Sequence, residues 1–268
     1  EEALIEWKPK EGKELLELED LKSILDSQGD EVALLLIGGV NYYTGQYLDI
    51  KKIAELGHAK KCMVGIDLAH GAGNIQPNLH DSSIDFAAWC TYKYLNSGPG
   101  SLSGLFVHEK HAQRKDLPRF AGWWNHNKET RFNMRQPFDV MKGAEGWQLS
   151  TPPILSMAAI KASLDIFEKV GMDVLLKKSK KLTGFFEFLI HQIASDTIKI
   201  ITPAHPNERG CQLSLQVKNA DKNLHRKLTE NNIITDWREP DVIRCAPVPM
   251  YTSFEDVYHM VKTLESLL

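Results

Sequence analysis

Cysteine is scarce and unpatterned in this chain. Its 268 residues hold four, and no two of Cys62, Cys90, Cys211 and Cys245 stand at the C-x-x-C spacing of a zinc or redox motif. A zinc knuckle and a disulfide framework are therefore not indicated, and buried free thiols in a cytoplasmic setting are expected. An excess of one charge is lacking too: 32 Lys and Arg stand against 35 Asp and Glu, a net charge of −3. That balance implies no basic face for nucleic acid or for a membrane surface. Long apolar runs are missing, since even Val32 to Val40 falls far short of the roughly 20 residues of a membrane-spanning helix. No signal peptide is expected at the start. The chain opens Glu1-Glu2-Ala3 without a methionine, so its numbering is expected to begin inside something longer. Internal repeats and low-complexity tracts are also absent. What is present is an ordinary globular composition, 43% apolar and 25% charged, which can build a core.

The first half alternates between the two hydrophobic periods. Val32 to Ile37 is a continuous apolar run ending in Gly38-Gly39, the pattern of a fully buried parallel strand. Asp49 to Ala59 reads as a helix, and strands follow at Cys62 to Leu68, Ile84 to Cys90 and Ser103 to Val107. This order predicts an α/β layer with a parallel-rich sheet and flanking helices. A loop-like stretch from Arg119 to Gly146 leads to Thr151-Pro152-Pro153, where a domain boundary is expected, dividing residues 1–150 from a smaller α+β unit at 151–268. In the second unit helices are expected at Ile154 to Lys169, Met172 to Ile193 and Asp221 to Asn231. Strands are expected near Ile198 to Thr202, Cys211 to Val217, Ile233 to Asp236 and Val242 to Ala246. Ser253, with Asp256 three residues on, signals the start of a last helix whose apolar stripe runs through Phe254, Val257, Tyr258, Val261, Leu264 and Leu268.

Asp67 closes the second strand, and in open parallel sheets ligands bind outside the carboxyl ends of strands. Taken alone it is as well explained as a structural cap. Lys93 follows the third strand with Tyr92 and Tyr94 on either side. A lone lysine is by default a solvated surface residue. An amine in a partly apolar setting is a nucleophile able to join an aldehyde such as that of pyridoxal phosphate (PLP), whose ring nitrogen requires a carboxylate partner. Asp67 and Lys93 at two strand ends favour that chemistry together. His108-Glu109-Lys110-His111 is not H-E-x-x-H, so a solvated loop is the better reading and no metal is expected. Gly98 to Gly104 lacks the lysine of a nucleotide-binding loop and reads as a flexible turn beside Lys93. Trp123-Trp124, in a loop, suits contact with a ligand or partner subunit better than core burial. Arg244 lies in an otherwise apolar strand and needs a carboxylate, either internal or on a ligand.

The segments V-G-I-D-L-A-H at 64–70, D-F-A-A-W-C-T-Y-K-Y-L-N at 85–96, F-V-H-E-K-H at 106–111, A-G-W-W at 121–124, S-T-P-P-I-L at 150–155, E-R-G-C-Q-L at 208–213 and R-C-A-P-V-P-M-Y at 244–251 closely resemble the kynureninases. These are PLP-dependent hydrolases of the aspartate-aminotransferase-like fold, fold type I. The resemblance runs from about Glu1 to Leu268 and matches the later part of that family's chain. The earlier part, with some of the phosphate cradle, the aromatic that stacks on the cofactor ring and another carboxylate, has no counterpart here.

The resemblance implies roles for particular residues. Lys93 is similar to the Schiff-base lysine and Asp67 to the carboxylate on the pyridine nitrogen. His70 resembles the nearby cofactor-contacting histidine. Tyr92 resembles the tyrosine that reaches the phosphate and serves as a proton donor. Trp123 resembles the tryptophan that meets the phosphate across a dimer interface, and Thr151 stands where relatives carry Asn or Thr at the cofactor boundary. Arg244 resembles the arginine that grips the substrate α-carboxylate. Gly38 departs from relatives with a hydroxyl there. The implied activity is hydrolysis of L-kynurenine or 3-hydroxy-L-kynurenine to anthranilate or 3-hydroxyanthranilate plus L-alanine, in tryptophan catabolism and NAD biosynthesis, by a cytoplasmic homodimer with shared sites. A related cysteine desulfurase or aminotransferase, or an inactive fragment, is the alternative; a mobile cysteine loop would mark the desulfurase.

Overall fold

A computed structural model of the chain describes residues 3–133, 137–193 and 196–268. Its first sheet has the order β1 (Leu34–Gly38), β2 (Met63–Asp67), β3 (Phe86–Cys90) and β4 (Ser103–Val107). The first three strands run parallel and β4 is antiparallel to β3. In the β1–β2 register Gly38 lies opposite Asp67, so the carboxyl ends of both strands open at the same edge. The helix α2 (Ile50–Ala59) starts where Asp49 accepts from the Lys52 amide at 3.1 Å, and it buries Ile50, Ile53 and Ala54 against the sheet. Each isoleucine so buried contributes about 1.5–3 kcal/mol. An additional helix, α1 (Leu18–Gln28), buries Leu21 and Leu25 in the same core.

The continuous apolar run of β1 is not buried on both faces. Leu34 and Leu36 are 44% and 62% exposed, because α1 and α2 cover only the face that carries Leu35. The strands expected at Ile84 and Cys62 begin at Phe86 and Met63, and β4 has the expected bounds.

The second sheet is antiparallel throughout, in the order β5 (Ile198–Ile200), β6 (Leu213–Val217), β8 (Val242–Cys245) and β7 (Asp236–Arg238). Two long helices precede it, α3 (Ile154–Val170) and α4 (Met172–Gln192), and α5 (Lys222–Glu230) lies between β6 and β7. The last helix, α6 (Phe254–Leu267), begins with the expected capping box: Ser253 Oγ accepts from the Asp256 amide, and the Asp256 carboxylate accepts from the Ser253 amide. Its buried face holds Val257, Met260, Val261 and Leu264, while Phe254, Tyr258 and Leu268 of the expected stripe are exposed. A separate apolar core joins these residues to Leu182, Phe186, Leu213 and Leu215. The strand expected at Ile233 to Asp236 lies further on. Asn232 takes a positive φ of 61° as α5 ends, and residues 233–235 serve as the connection.

His108 to His111 is not a solvated loop. Residues 109–111 form a 3₁₀ turn, and His108 is buried. Lys110 Nζ and His111 Nε2 reach the buried carboxylate of Asp85 at 2.7 and 2.6 Å. His58 Nε2 lies 2.9 Å from the same carboxylate, which also accepts from the Val64 amide at 2.6 Å. This knot ties α2, β2, β3 and the segment after β4 together at the edge of the sheet opposite Asp67.

Candidate active site

The two sheets meet through the turn after β1 and the turn after β2. The carbonyl of Tyr42 accepts from Arg244 Nη1 at 2.6 Å and from Gln212 Nε2 at 3.2 Å. Ser214 Oγ donates to the Tyr43 carbonyl at 2.5 Å, and Thr202 Oγ1 donates to the Thr44 carbonyl at 2.5 Å. Asn74 is buried; its Nδ2 donates to the His70 carbonyl and its Oδ1 accepts from the Cys211 amide at 2.8 Å. Gly73 has φ +80°, and a Cβ there would stand 2.7 Å from the Tyr94 carbonyl. Only glycine both takes that conformation cheaply and lets the His70–Asn74 turn lie against the segment bearing Lys93.

Lys93 Nζ sits 3.1 Å from His70 Nε2, and the His70 ring packs edge-on to Tyr94 at 5.9 Å. Asp67 is exposed, with Oδ1 accepting from the Ala69 amide at 2.7 Å. A cleft of about 250 Å³ opens beside it, lined by Gly38, Asn41, Tyr42, Asp67, Ala69 and His70 among others. It lies outside the carboxyl ends of β1 and β2, where an open parallel sheet places its ligand. Gly38 lines it, and a Cβ built there would come no closer than 3.6 Å to the Val40 carbonyl oxygen, so space does not demand glycine. Tyr92 is 52% exposed. The neighbouring Cys90 thiol raises its hydroxyl above the ordinary tyrosine range, and Cys90 Sγ in turn donates to the Ala69 carbonyl at 3.8 Å. The stretch after Lys93 is tied down: Ser97 Oγ donates to the Thr91 carbonyl at 2.6 Å, Ser101 Oγ to the Ser97 carbonyl at 2.5 Å, and Thr91 Oγ1 to the Leu102 carbonyl.

Burial pushes the His70 imidazole down to about 4, and the Lys93 and Arg244 charges add to the effect while Asp67 opposes it. His70 is therefore neutral at pH 7, which lets its ring nitrogen accept from the Lys93 ammonium. Its Nδ1 is buried without a hydrogen-bond partner. In an NMR titration the His70 ring is expected to titrate near 4 rather than near the ordinary histidine value, and Lys93→Met is expected to move that midpoint upward. A midpoint unchanged by Lys93→Met would break the link between the two groups.

Asp67 and His70 thus line the cleft, Lys93 reaches it through His70 and Arg244 through the Tyr42 carbonyl, while Tyr92 lies beside Cys90 and is not among the lining residues. Trp123 and Thr151 are placed elsewhere in these contacts. The Trp123 ring packs edge-on to Phe132 at 5.3 Å and is 44% exposed, and Thr151 is exposed just ahead of α3. Trp124 holds the Arg131 guanidinium 4.7 Å from its ring centre. Arg244 does have an internal carboxylate: Asp236, its cross-strand neighbour, accepts from Nη2. Tyr42, Asp236 and Arg238 were not evident as site residues from sequence. Tyr42 had a usable signal, since it follows the carboxyl end of β1.

Comparison with known proteins gives what the chain is similar to. Residues 175–264 match the model of the kynureninase C-terminal domain. A kynureninase of Myxococcus xanthus (strain DK1622) is 53% identical over 264 residues, 98% of this chain and 62% of that protein. The mouse kynureninase is 45% identical over 269 residues, 97% of this chain and 58% of its own. Its relatives are kynureninases. The chain spans about three fifths of the length of these kynureninase relatives. Among solved structures, a C-DES variant with glycine covalently linked to its PLP cofactor superposes with a TM-score of 0.78 at 17% identity, covering 94% of this chain and 64% of that one. The apo cysteine desulfurase of Thermococcus onnurineus NA1 gives 0.74 at 17% identity, covering 98% and 65%. At that identity the likeness to the desulfurase and to C-DES shows the fold alone, and that fold is the type I architecture of PLP-dependent enzymes.

Proposed function

We propose that the complete protein is a PLP-dependent hydrolase that cleaves L-kynurenine, or its 3-hydroxy derivative, to anthranilate or 3-hydroxyanthranilate and L-alanine. The observation that carries this reading is the Lys93 amine, 3.1 Å from a neutral His70, beside the Asp67 carboxylate on a cleft at the carboxyl ends of two parallel strands. The donor set fits the cofactor: an amine for its aldehyde, an exposed carboxylate for its ring nitrogen, and a buried ring nitrogen on His70 that lacks a partner. When bound, PLP supplies an aldehyde carbon for amines and a ring that takes up electrons.

The chain's own residues divide the remaining work. Arg244 orients the substrate by its α-carboxylate. Lys93 Nζ takes up the α-proton. Asp67 keeps a negative charge where a protonated ring nitrogen needs one. The Tyr92 hydroxyl, beside the Cys90 thiol, is a proton donor toward the alanine fragment. Thr151 and Trp123 complete the cofactor boundary in the same proposal, Trp123 from across a homodimer. The apolar side chains that α3 leaves exposed, Ile154, Leu155 and Met157, support a covering partner. A division at residues 150 and 151 is supported by the two separate apolar cores. A reducing, cytoplasmic setting is supported by the four free cysteines, and a place in tryptophan catabolism and NAD biosynthesis follows from the substrate. A desulfurase reading is less well supported: Cys62, Cys211 and Cys245 are buried, burial pushes Cys211 and Cys245 up to about 12, and the half-buried Cys90 is held in strand β3 rather than in a loop.

Supplied with PLP and L-kynurenine, the complete protein is expected to release anthranilate and L-alanine in equal amounts, and no sulfur from L-cysteine. Turnover of L-cysteine without turnover of L-kynurenine would overturn the reading. Asp67→Asn keeps the shape and removes the charge, so kcat is expected to fall by about 10- to 100-fold, the loss of one charge-assisted contact. A variant with wild-type kcat would remove Asp67 from the mechanism.

A further inference from the structure

Arg244 and Arg238 share one anion. Asp236 Oδ2 accepts from Arg244 Nη2 directly across the β7–β8 ladder, and from Arg238 Nη2 at 2.9 Å along the same face of β7. One carboxylate therefore faces two guanidinium groups, leaving a net positive charge. Both Arg244 Nε and Arg238 Nε are buried and have no hydrogen-bond partner. Nε and Nη2 lie side by side and form the fork that a carboxylate takes with both oxygens. Arg114 shows the filled fork, with Nε 2.6 Å and Nη2 2.5 Å from the two oxygens of Asp116. At Arg244 and at Arg238 that fork is half filled by the same Asp236 oxygen.

The place of this pair matters. Arg244 Nη1 holds the Tyr42 carbonyl, Tyr42 lines the cleft, and Arg238 lies over the Tyr42 ring at 5.8 Å from its centre. The Arg244 side chain is 11% exposed, but those of Asp236 and Arg238 are 42% and 41% exposed, on a three-residue edge strand. Asp236 thus has both a second partner and room to turn toward it.

We propose that Asp236 is a built-in stand-in for the substrate's α-carboxylate, holding Arg244 while the site is empty and passing to Arg238 when an α-amino acid binds. The incoming carboxylate supplies the second negative charge, so each guanidinium gains a counter-ion of its own. The incoming carboxylate fills Nε and Nη2 of Arg244, and Asp236 fills Nε and Nη2 of Arg238. It makes Asp236 and Arg238 positioning residues that act through Arg244 and set affinity for amino acids that carry an α-carboxylate. The proposal rests on the reading of Arg244 as the carboxylate-binding group.

Two substitutions separate this from a merely structural cluster, because they have opposite signs. Asp236→Asn keeps an oxygen for the arginines but removes the competing charge, so L-alanine should bind the holoenzyme more tightly, by roughly 5-fold. Arg238→Gln removes the alternative partner, holds Asp236 on Arg244, and should weaken L-alanine by a similar factor. Ethylamine, which lacks the carboxylate, should bind equally to all three proteins. Calorimetric titration of the complete holoenzyme reads these affinities, and circular dichroism confirms that each variant is folded. Weakening of L-alanine by both variants, or equal changes for ethylamine, would overturn the stand-in role while leaving Arg244 as the carboxylate site. Equal affinity of the unmodified protein for L-alanine and ethylamine would overturn the role of Arg244 and the stand-in with it.

Discussion

Lys93→Ala is expected to lower kcat on L-kynurenine by about 10⁴-fold or more while the protein stays folded. Positioned proton transfer alone accounts for about 10²- to 10⁴-fold in enzymes, and the same amine also has to hold the cofactor aldehyde. The fold should survive because Lys93 is not a core residue: it is half-buried on a turn that Ser97 and Thr91 tie down independently of its side chain. His70 gives an internal control. The Lys93 charge depresses it, so removing that charge should raise the His70 titration midpoint in the same sample that loses turnover. A variant that retained more than about a tenth of wild-type kcat would rule Lys93 out as the proton carrier, since a group worth only one power of ten falls below that range.

The second large effect lies at the other edge of the sheet. Asp85→Asn is expected to destabilise the protein by about 3–5 kcal/mol, the usual cost of breaking a buried ion pair from one side. The Asp85 side chain is 3% exposed and serves Lys110, His58, His111 and the Val64 amide together. An asparagine there would leave Lys110 without its counter-charge and turn an N–H₂ group toward donors. The melting temperature should fall by roughly 10 °C, with KM unchanged because Asp85 stands at the opposite end of β3 from Lys93. The pH dependence has a definite sign. Burial pushes the Asp85 carboxyl up, but Lys110, His111, His58 and the Val64 amide together hold it well below the usual carboxylate range. Its contribution is therefore present above the unfolded value of about 4 and is lost as pH falls below that. Thermal melts should show wild-type stability dropping below about pH 4 and the Asn variant flatter there. Equal melting temperatures for the two proteins at pH 7 would show that the knot does not hold the sheet.

The fold was readable wherever local pattern and tertiary demand agreed. The apolar spacing of α2, the apolar run of β1 that ends in Gly38-Gly39, and the Ser253–Asp256 box each specify an element without help from distant contacts. β1 shows the limit of this reading. Leu34, Leu36 and Ile37 give the same apolar signal whether one face or both are covered, and only the placement of α1 and α2 decides. The strand at Asp236 was harder still, because Ile233, Ile234 and Thr235 have the stronger β propensity yet lie in the connection after α5. In the site, Asp67 and Lys93 were legible because each follows a strand with unusual neighbours. Asp236 and Arg238 were not, since an acidic and a basic residue two apart on an edge strand look like ordinary surface charge. Their meaning comes from Arg244 across the ladder, a pairing that sequence spacing does not reveal. Lys110 and His111 misled for the converse reason: their partner, Asp85, lies one strand away.

Borohydride reduction of the complete protein with PLP, followed by peptide mapping, tests the central claim most directly, because it fixes the cofactor carbon to whichever amine holds it. The structure predicts a single label on Lys93, in the peptide that contains Tyr92 and Tyr94, and its loss when Asp67 and His70 are disrupted by unfolding before PLP is added. A label on any other lysine, with Lys93 unmodified, would contradict the account.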